Sequence, residues 1–396
     1  MVILRYLFIT LLIADFIGCS SQEQLRIIPG AERTDQYFHL LAGKQIGISA
    51  NQTSRIGSVH LVDSLYRTGV EVTKIMKVFS PEHGFRGDAD DGVLIDDSTD
   101  PATGIPIVSL YGRNRKPLPE QLDGLDLVVF DVQDVGVRFY TYISTLFYLM
   151  QACAEQGIPV VVLDRPNPNG FYVDGPVLKE ENSSFVGMHP VPIVYGMTIG
   201  EYALMINGEG WLGNDLVCDL TIIKCSNYDH TKKYDLPVAP SPNLPTMNGI
   251  YLYPSIGLFE GTVISEGRGT DNPFEAFGHP DLQNAPYNFV PRSIPGKSTH
   301  PKHLGDTCHG FDLRGYTDGL DSLPARIDLS WLIFAYNNIS DNKSFFTDYF
   351  DLLAGDTVLR KQVIMGFTEE EIRKTWETEI AYFLKVRSKY LLYKDF

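Results

Sequence analysis

The sequence predicts an α/β protein that is built around a parallel β-sheet. Five short runs rich in β-branched and aliphatic residues occur in the first half of the chain, at residues 45–50, 74–79, 107–110, 125–130 and 160–163. The intervals between these runs leave room for helical crossovers, which indicates parallel βαβ units. The runs are apolar almost throughout, as expected of strands that are covered on both faces of a sheet.

Helical periodicity accounts for several segments between and after these strands. Apolar residues recur at spacings of three and four over residues 138–156, and Gly157 then ends the pattern, which predicts a helix. The segment 198–201 reads Thr-x-x-Glu, a capping box that predicts a helix to about residue 208. The segment 368–371 repeats this motif and predicts the start of a final helix.

The composition changes near residue 245, where we place a boundary between two domains. A chain of 396 residues is long for a single domain. Residues 236–248 contain several prolines and are typical of an extended connector. We therefore predict an α/β domain over residues 39–245 and a second, smaller domain over residues 246–396.

Residues 1–19 have the pattern of a bacterial lipoprotein signal and are left out of fold reasoning. Arg5 precedes the apolar stretch Leu7–Ile17, which Gly18 and Cys19 follow. In such signals the cysteine becomes the lipidated first residue of the mature protein; an ordinary signal peptide with an incidental cysteine is the alternative. Residues 20–38 would form a tether. The protein is expected at the bacterial cell envelope, as a periplasmic or outer-membrane lipoprotein whose lipid is its sole membrane contact.

The charge and the cysteine pattern argue against two kinds of partner. The formal net charge is −16 and no run of Lys or Arg occurs, which argues against nucleic acid because phosphate binding needs a basic face. Four cysteines remain after Cys19. The sequence has no CxxC motif and no His/Cys grouping that would predict a metal site, and no motif predicts a cofactor. A disulfide and buried free thiols are both compatible with the spacing. The oligomeric state stays open.

Carboxylates, arginines and aromatic residues follow the predicted strands at their carboxyl ends, where ligands bind in open α/β sheets. Glu82 and His83 come after the second run, and Arg86 follows them. Partial burial would raise the pKa of Glu82 and suit it to general acid catalysis. A loop carboxylate that caps a helix is the alternative. His83 and Arg86 are expected to bind substrate.

Two further sets of polar residues follow the fourth and fifth runs. Asp134 is a possible catalytic carboxylate, and Arg138 and Tyr140 are expected substrate-binding residues. A helix cap formed by Asp134, or a surface pair between Asp134 and Arg138, is an equally good interpretation. Asp164 and Asn167 lie in a rigid polar loop that is either a ligand-binding wall or a structural turn.

A glycine-flanked loop beyond the connector supplies the other wall of the predicted site. Glu260, Glu266 and Arg268 lie there, and Asn243 lies in the connector itself. Glu266 is expected to be the second catalytic carboxylate, ahead of Asp134. Arg268 and Asn243 are expected to bind substrate. A Glu–Arg pair that merely braces the loop is the alternative.

Five motifs, in this order, resemble those of the NamZ family of exo-β-N-acetylmuramidases, glycoside hydrolase family 171. They are Ser-Pro-Glu-His-Gly at 80–84, Asp-Val-Gln-Asp-Val-Gly-Val-Arg-Phe-Tyr-Thr-Tyr at 131–142, Asp-Arg-Pro-Asn-Pro at 164–168, Pro-Ser-Pro-Asn-Leu-Pro-Thr at 240–246 and Ser-Glu-Gly-Arg-Gly-Thr at 265–270. The resemblance spans about residues 38–396. It implies a Rossmann-like N-terminal domain, a smaller α+β C-terminal domain, and an active-site cleft that the second domain completes.

The resemblance also implies an exo-acting glycosidase that releases terminal β-1,4-linked N-acetylmuramic acid from the non-reducing ends of peptidoglycan fragments during cell-wall turnover. A site for this sugar needs carboxylates for glycosidic cleavage, a cation for its lactyl group and an aromatic platform. Arg138 and Arg268 are the expected partners of the lactyl carboxylate. A catalytically silent lipoprotein that binds cell-wall glycan is the alternative. Retaining, inverting and acetamide-assisted mechanisms all stay open.

Overall fold

The computed structural model describes residues 25–68, 73–86, 97–112, 114–318, 323 and 325–396. The predicted lipoprotein signal, with Cys19, lies outside these residues. The strands are β1 (Gln45–Ala50), β2 (Arg55–Ile56), β3 (Val59–His60), β4 (Lys74–Ser80), β5 (Ser98–Thr99), β6 (Pro106–Ser109), β7 (Leu127–Asp131), β8 (Val160–Leu163), β9 (Leu220–Ile223), β10 (Ala276–His279), β11 (Tyr287–Phe289) and β12 (Cys308–Asp312).

The α-helices are α1 (Phe38–Leu41), α2 (Leu61–Thr68), α3 (Pro119–Leu122), α4 (Tyr142–Gln156), α5 (Ile199–Gly208), α6 (Met247–Ile256), α7 (Ser330–Asn338), α8 (Asp348–Ala354), α9 (Val358–Ile364), α10 (Glu369–Lys374) and α11 (Glu377–Arg387). None of the helices in the described ranges is long and apolar enough to cross a membrane.

The main sheet of the described chain has seven strands in the order β5-β6-β4-β1-β7-β8-β9. Neighbouring strands are parallel, except at the edge, where β5 pairs with β6 in the antiparallel sense. This sheet confirms the predicted α/β class. The five predicted runs correspond to β1, β4, β6, β7 and β8, with shifts of one or two residues at some ends. The edge strands β5 and β9 are additions to the prediction.

The sheet separates two apolar cores, which explains why its strands are apolar almost throughout. In β7, Val128 and Phe130 belong to one core, whereas Leu127 and Val129 belong to the core on the opposite face. The same alternation occurs in β8. Because successive side chains of a strand point to opposite faces, a strand covered on both faces must be apolar at every position.

The smaller part of the fold contains a three-stranded antiparallel sheet in the order β10-β12-β11, together with helices α7 to α11. It confirms the predicted second unit of α+β type. Helix α6 directly follows the proline-rich connector, and the Thr246 hydroxyl caps it by accepting a hydrogen bond from the Gly249 amide at 3.0 Å.

Two predicted helices differ from the observed ones at their ends. Helix α4 begins at Tyr142, not at Arg138, because the Arg138 amide donates to the Ile193 carbonyl at 2.7 Å and so extends a strand-like segment. The predicted final helix is two helices, α10 and α11. The amides of Thr375 and Trp376 donate to carbonyls three residues back, a tighter turn that interrupts the α-helical ladder.

The segment 390–395 packs against the first part of the chain, close to β8. The Tyr393 hydroxyl donates to Asp164 at 2.5 Å and accepts from the Cys225 amide at 2.7 Å. The Leu392 amide donates to Glu201 at 2.8 Å. The two halves of the fold are therefore joined by a buried polar network as well as by the connector.

The cysteines of the described residues are free thiols, which is the second of the two alternatives that the spacing allows. Cys153, Cys218, Cys225 and Cys308 are all unbridged and buried. Burial raises the pKa of each of these thiols, so they are small core residues in this structure.

Candidate active site

A cavity of about 370 Å³ opens at the carboxyl edge of the main sheet, between the two parts of the fold. Its walls come from loops that follow β4, β6 and β7, from the connector, and from the loop after α6. The lining residues include aromatic, acidic and basic side chains, namely Glu82, His83, Tyr111, Arg115, Phe139, Tyr140, Thr141, Ser184, Phe185, Val186, Ser241, Asn243, Leu244, Tyr253, Glu260, Arg268, Phe274, Tyr349 and Leu352.

Glu82 lies two residues beyond β4, on the wall supplied by the main sheet. The Thr141 hydroxyl, just before α4, donates to Glu82 Oε2 at 3.1 Å and so orients the carboxylate. His83 and Gly84 both have positive φ, of 68° and 82°, which turns the chain sharply after Glu82. The imidazole of His83 is buried, and its Nδ1 has no hydrogen-bond partner among the described residues. Both predicted residues therefore reach the cavity.

Aromatic rings form the floor of the cavity. Tyr253 contacts Phe139 edge to face at 5.3 Å and Tyr140 at 5.8 Å, as measured between ring centroids. Tyr142 supports Tyr140 from below at 4.8 Å, and its own hydroxyl donates to the Pro240 carbonyl at 3.1 Å. Such a floor offers flat apolar faces to a sugar ring, with Tyr140 as the predicted member of the group.

The opposite wall carries Arg268 and Glu260. The Arg268 guanidinium lies 3.5 Å from Glu260 and 3.3 Å from Glu266, and it packs over the Phe274 ring at 5.0 Å. Asn243 reaches the same wall, where its amide group donates to the Lys297 carbonyl at 3.0 Å. The loop beyond the connector thus faces the sheet edge across the cavity, as the sequence predicts for this loop.

Glu266 lies behind this wall and does not line the cavity. Its carboxylate is 3 % exposed and contacts Lys302 at 3.1 Å as well as Arg268. Burial opposes ionisation of Glu266, but the Lys302 and Arg268 charges outweigh it and hold the pKa of this carboxyl below its usual range. Lys302 also donates to the carbonyls of Phe259 and Ile264 at 2.7 and 3.0 Å. This geometry matches the bracing alternative, in which Glu266 positions Arg268.

Arg138 is fully buried away from the cavity, which corrects the expectation that it contacts ligand. Its guanidinium donates to four backbone carbonyls, those of Pro176, Val191, Leu353 and Ala354, at 2.6–2.9 Å. Burial lowers the pKa of Arg138 to about 10. With both terminal nitrogens of its guanidinium used in this way, Arg138 joins the two parts of the fold and, being buried away from the cavity, does not reach a substrate carboxylate.

Arg86 also lies outside the cavity. It forms ion pairs with Asp63 at 3.0 Å and Asp100 at 2.9 Å, on the side of the sheet that carries α2. These two carboxylates occupy the guanidinium, so the structure places Arg86 in a bracing role and not at the predicted substrate site.

Asp134 lies beneath the aromatic floor, not in the cavity wall. It accepts hydrogen bonds from the Gly136 amide at 2.7 Å and from the Tyr195 hydroxyl. Burial raises the pKa of Asp134 to about 6, although these hydrogen bonds oppose the shift. Its bond to the Gly136 amide fixes the turn that leads into residues 138–141.

Asp164 and Asn167 fit the structural-turn alternative. Asp164 accepts from the Thr198 hydroxyl at 2.8 Å and from the Gly200 amide at 2.7 Å, so it anchors the start of α5. Asn167 donates to the Met197 carbonyl at 2.8 Å and accepts from the Asn169 amide at 2.8 Å. Neither residue lines the cavity.

The cavity also contains residues that sequence reasoning did not single out. Phe185 lies outside the five motifs, and Thr141, although it belongs to the motif at 131–142, has no feature there that distinguishes it from a packing residue. Arg115 lies in a loop of mixed composition after β6, although its position beyond a strand end could have marked it. Among the described residues, no group of three or more His, Cys, Asp and Glu side chains is placed to hold a metal ion.

Comparison with known proteins agrees with the sequence motifs. The family described as exo-beta-N-acetylmuramidase NamZ matches with its N-terminal part over residues 46–248 and with its C-terminal part over residues 251–393. A Bacillus subtilis (strain 168) protein described as peptidoglycan beta-N-acetylmuramidase NamZ is 40% identical in an alignment over 375 residues, and the match covers 90% of this chain and 89% of that protein.

Two crystal structures of DUF1343 family proteins from Bacteroides fragilis NCTC 9343 are similar over nearly the whole chain. One has 45% identity and a TM-score of 0.86, and the match covers 94% of this chain and 100% of that chain. The other has 29% identity and a TM-score of 0.78, with coverage of 93% and 99%. The fold described above is therefore shared with experimentally determined structures.

Proposed function

We propose, because this chain belongs to the NamZ family of exo-β-N-acetylmuramidases, that it is a glycosidase that releases terminal β-1,4-linked N-acetylmuramic acid from the non-reducing ends of peptidoglycan fragments. The observation that carries this proposal is the match of both family parts to this chain, together with a cavity that holds carboxylates, a guanidinium and an aromatic floor. A catalytically silent glycan-binding protein is not favoured, because binding alone needs no oriented carboxylate.

Glu82 is the proposed general acid. Cleavage of a glycosidic bond requires a carboxylic acid beside the leaving oxygen, and Glu82 lines the cavity with one oxygen held by Thr141. The bond from Thr141 leaves the carboxyl group free to donate its proton from the other oxygen. The buried His83 follows it in the chain, and its positive φ forms the turn that presents Glu82 to the cavity.

Glu260 is the proposed second carboxylate. Glycosidases commonly use a pair of carboxyl groups that flank the scissile bond, and among the described residues Glu260 is the other acidic side chain that lines the cavity. Arg268 contacts Glu260 at 3.5 Å and so holds this carboxylate at the cavity wall. Glu266, the residue that the sequence favoured for this role, faces Lys302 and Arg268 instead, and we assign it to positioning Arg268.

The function is tested with chromogenic β-glycosides of N-acetylmuramic acid and N-acetylglucosamine. We expect hydrolysis of the muramic substrate, release of a single sugar from peptidoglycan fragments, and much slower turnover of the glucosamine substrate. Binding of the muramic substrate without release of the chromophore, by a protein with a normal unfolding transition, would show the silent binding protein instead.

We further propose that the mature protein is a lipoprotein of the cell envelope, anchored through Cys19. The apolar stretch Leu7–Ile17 followed by Gly18 and Cys19 supports this proposal. Metabolic labelling with a fatty acid should mark the wild-type protein and not the Cys19→Ser variant. Equal labelling of the two proteins would contradict the anchor.

A further inference from the structure

The cavity contains a second guanidinium, that of Arg115, whose environment differs from that of Arg268. Arg268 already contacts two carboxylates, Glu260 and Glu266. Arg115 also lines the cavity, 4.2 Å from the centre of the Phe185 ring, and forms no ion pair with any carboxylate of the described residues. Among the described residues that line the cavity, Arg115 therefore offers an anionic ligand a positive charge that no carboxylate compensates.

The platform under Arg115 is built from fixed parts. The Ser144 hydroxyl, on α4, donates to the Phe185 carbonyl at 2.7 Å, and the Tyr148 ring stacks on the Phe185 ring at 6.3 Å. Lys116, the next residue after Arg115, is tied to α4 through Gln151 at 2.9 Å. The backbone that carries the guanidinium and the ring on which it rests are thus both anchored to the same helix, which lowers the conformational cost of holding Arg115 in place.

A second hydrogen-bonding group lies beside this platform. Ser184 precedes Phe185 and lines the cavity, and its Oγ is buried without a hydrogen-bond partner among the described residues. A buried hydroxyl without a partner is unfavourable in the empty site and gains a hydrogen bond when an acceptor arrives. Arg115 and Ser184 together present N–H and O–H donors from one wall.

We propose that Arg115, assisted by the Ser184 hydroxyl, binds the lactyl carboxylate of N-acetylmuramic acid and so determines the preference of the site for this sugar. The proposal rests on the proposed function. A guanidinium suits this role because it can donate two parallel hydrogen bonds to one carboxylate. The other two arginines that the sequence suggested are engaged elsewhere: Arg138 binds four carbonyls, and Arg268 contacts Glu260 and Glu266.

The test compares Arg115→Met with Arg115→Lys, Ser184→Ala and the control Arg314→Met. Arg314 is an exposed arginine that pairs with Asp312 away from the cavity. For each protein kcat and KM are measured on the chromogenic muramic and glucosamine substrates, and inhibition constants are measured for the two free sugars. The inhibition constants report binding even where turnover of the glucosamine substrate is small.

We expect Arg115→Met to lower kcat/KM for the muramic substrate by about 10- to 100-fold, the usual weight of a charge-assisted hydrogen bond, and to weaken inhibition by free N-acetylmuramic acid similarly. Arg115→Lys should retain part of the preference, and Ser184→Ala should lose a smaller part. The kinetic constants for the glucosamine substrate and the inhibition constant for free N-acetylglucosamine should change less than threefold in all variants. Arg314→Met should behave as wild type.

Each contrary result has a separate meaning. If the wild-type protein hydrolyses neither sugar, or hydrolyses both equally, the proposed function is wrong. If the wild type prefers the muramic substrate and Arg115→Met keeps that preference, the arginine assignment is wrong. If Arg115→Met weakens the binding and turnover of both sugars equally while its unfolding midpoint is unchanged, Arg115 supports the cavity wall and does not recognise the lactyl group.

Discussion

Thr141 and the sharp turn at His83 hold the Glu82 carboxylate in the cavity, and this arrangement leads to a prediction about a single functional group. Glu82→Gln removes the acidic proton but keeps the size and the hydrogen bond to Thr141. We expect kcat to fall by about 10²–10⁴, the usual contribution of acid–base catalysis, with little change in substrate binding. Turnover of the chromogenic muramic substrate measures the effect.

The matched control is Glu120→Gln, on the exposed surface of α3. It removes the same charge without touching the cavity and should keep full activity. Thermal unfolding of both variants checks that neither has lost its fold. A Glu82→Gln enzyme that works within tenfold of wild type would remove Glu82 from the chemistry.

The buried Asp134 gives a second prediction at this scale, because its pKa of about 6 lies above its usual value of 3.8. The native protein therefore holds a proton that the unfolded chain releases between about pH 4 and pH 6, and native stability falls as the pH rises through this window. The Asp134→Asn variant has no carboxyl group at this position and so lacks this loss of stability. The free energy of unfolding of the variant minus that of wild type should therefore increase by about 2 kcal/mol between pH 4 and pH 7.5.

Urea unfolding at several pH values measures this difference. Asp271→Asn is the control, since that side chain is 81% exposed and is not subject to the burial that acts on Asp134. A difference between Asp134→Asn and wild type that stays constant from pH 4 to pH 7.5 would mean that Asp134 titrates normally.

At the same scale, the sequence could place residues near a strand end but could not decide which way they point. Glu82 and Tyr140 line the cavity, whereas Asp164 and Arg138, from equally good strand-end positions, turn into the protein. The direction depends on turns such as the positive φ of Gly136 and on carbonyls that come from distant segments. Arg138 finds two of its acceptors more than 200 residues away, at Leu353 and Ala354, which no local pattern reveals.

Single elements were easier to predict than side-chain directions, because their signals are local. Strands β7 and β8 are covered on both faces, so an apolar run is enough to recognise them. The edge strand β5 lacks this signal, since both of its residues are exposed, and in β9 the exposed Thr221 interrupts the apolar run. The start of α4 was misplaced because Phe139 continues the apolar spacing of the helix although residues 138–141 are held by other segments.

The capping boxes of α5 and α10 allow one motif to be compared in two environments. Thr198 is buried, caps α5 through the Glu201 amide at 3.2 Å, and donates to Asp164 at 2.8 Å. Thr368 caps α10 at the surface in the same way, through the Glu371 amide at 3.3 Å. We expect Thr368→Ala to cost about 1 kcal/mol of unfolding free energy, as caps usually do.

Thr198→Ala should cost more, about 2–3 kcal/mol, because it also leaves Asp164 without one of its buried donors. Thr198→Ser keeps both hydrogen bonds and should cost little. Chemical unfolding of the three variants measures how much unfolding free energy each of them loses. Equal losses for the two alanine variants would show that the bond to Asp164 adds nothing to the cap.

At the scale of the whole molecule, the contact between segment 390–395 and the β8 loop joins parts of the chain that are far apart in sequence. Tyr393→Phe removes the hydroxyl that donates to Asp164 and accepts from the Cys225 amide. Because the Cys225 amide would then be left without a partner, we expect a loss of about 1–3 kcal/mol in unfolding free energy.

Tyr390→Phe is the matched control in the same segment. Its hydroxyl donates to Glu209, a carboxylate with a more exposed side chain, so the same deletion should cost less than about 1 kcal/mol. Differential scanning calorimetry of the two variants compares them directly. A loss for Tyr390→Phe as large as that for Tyr393→Phe would contradict the role given to the buried network.

The junction at Tyr393 has a consequence for the order of events during protein synthesis. Ribosomes add about 5–20 residues per second, so the strands of the main sheet emerge on the order of ten seconds or more before residue 393 is made. Throughout that interval Asp164 lacks its Tyr393 donor, and at first Glu82 also lacks the wall that carries Glu260 and Arg268. Until the second part of the fold has been made, the chain therefore lacks one wall of the cleft and the contact that joins its two parts.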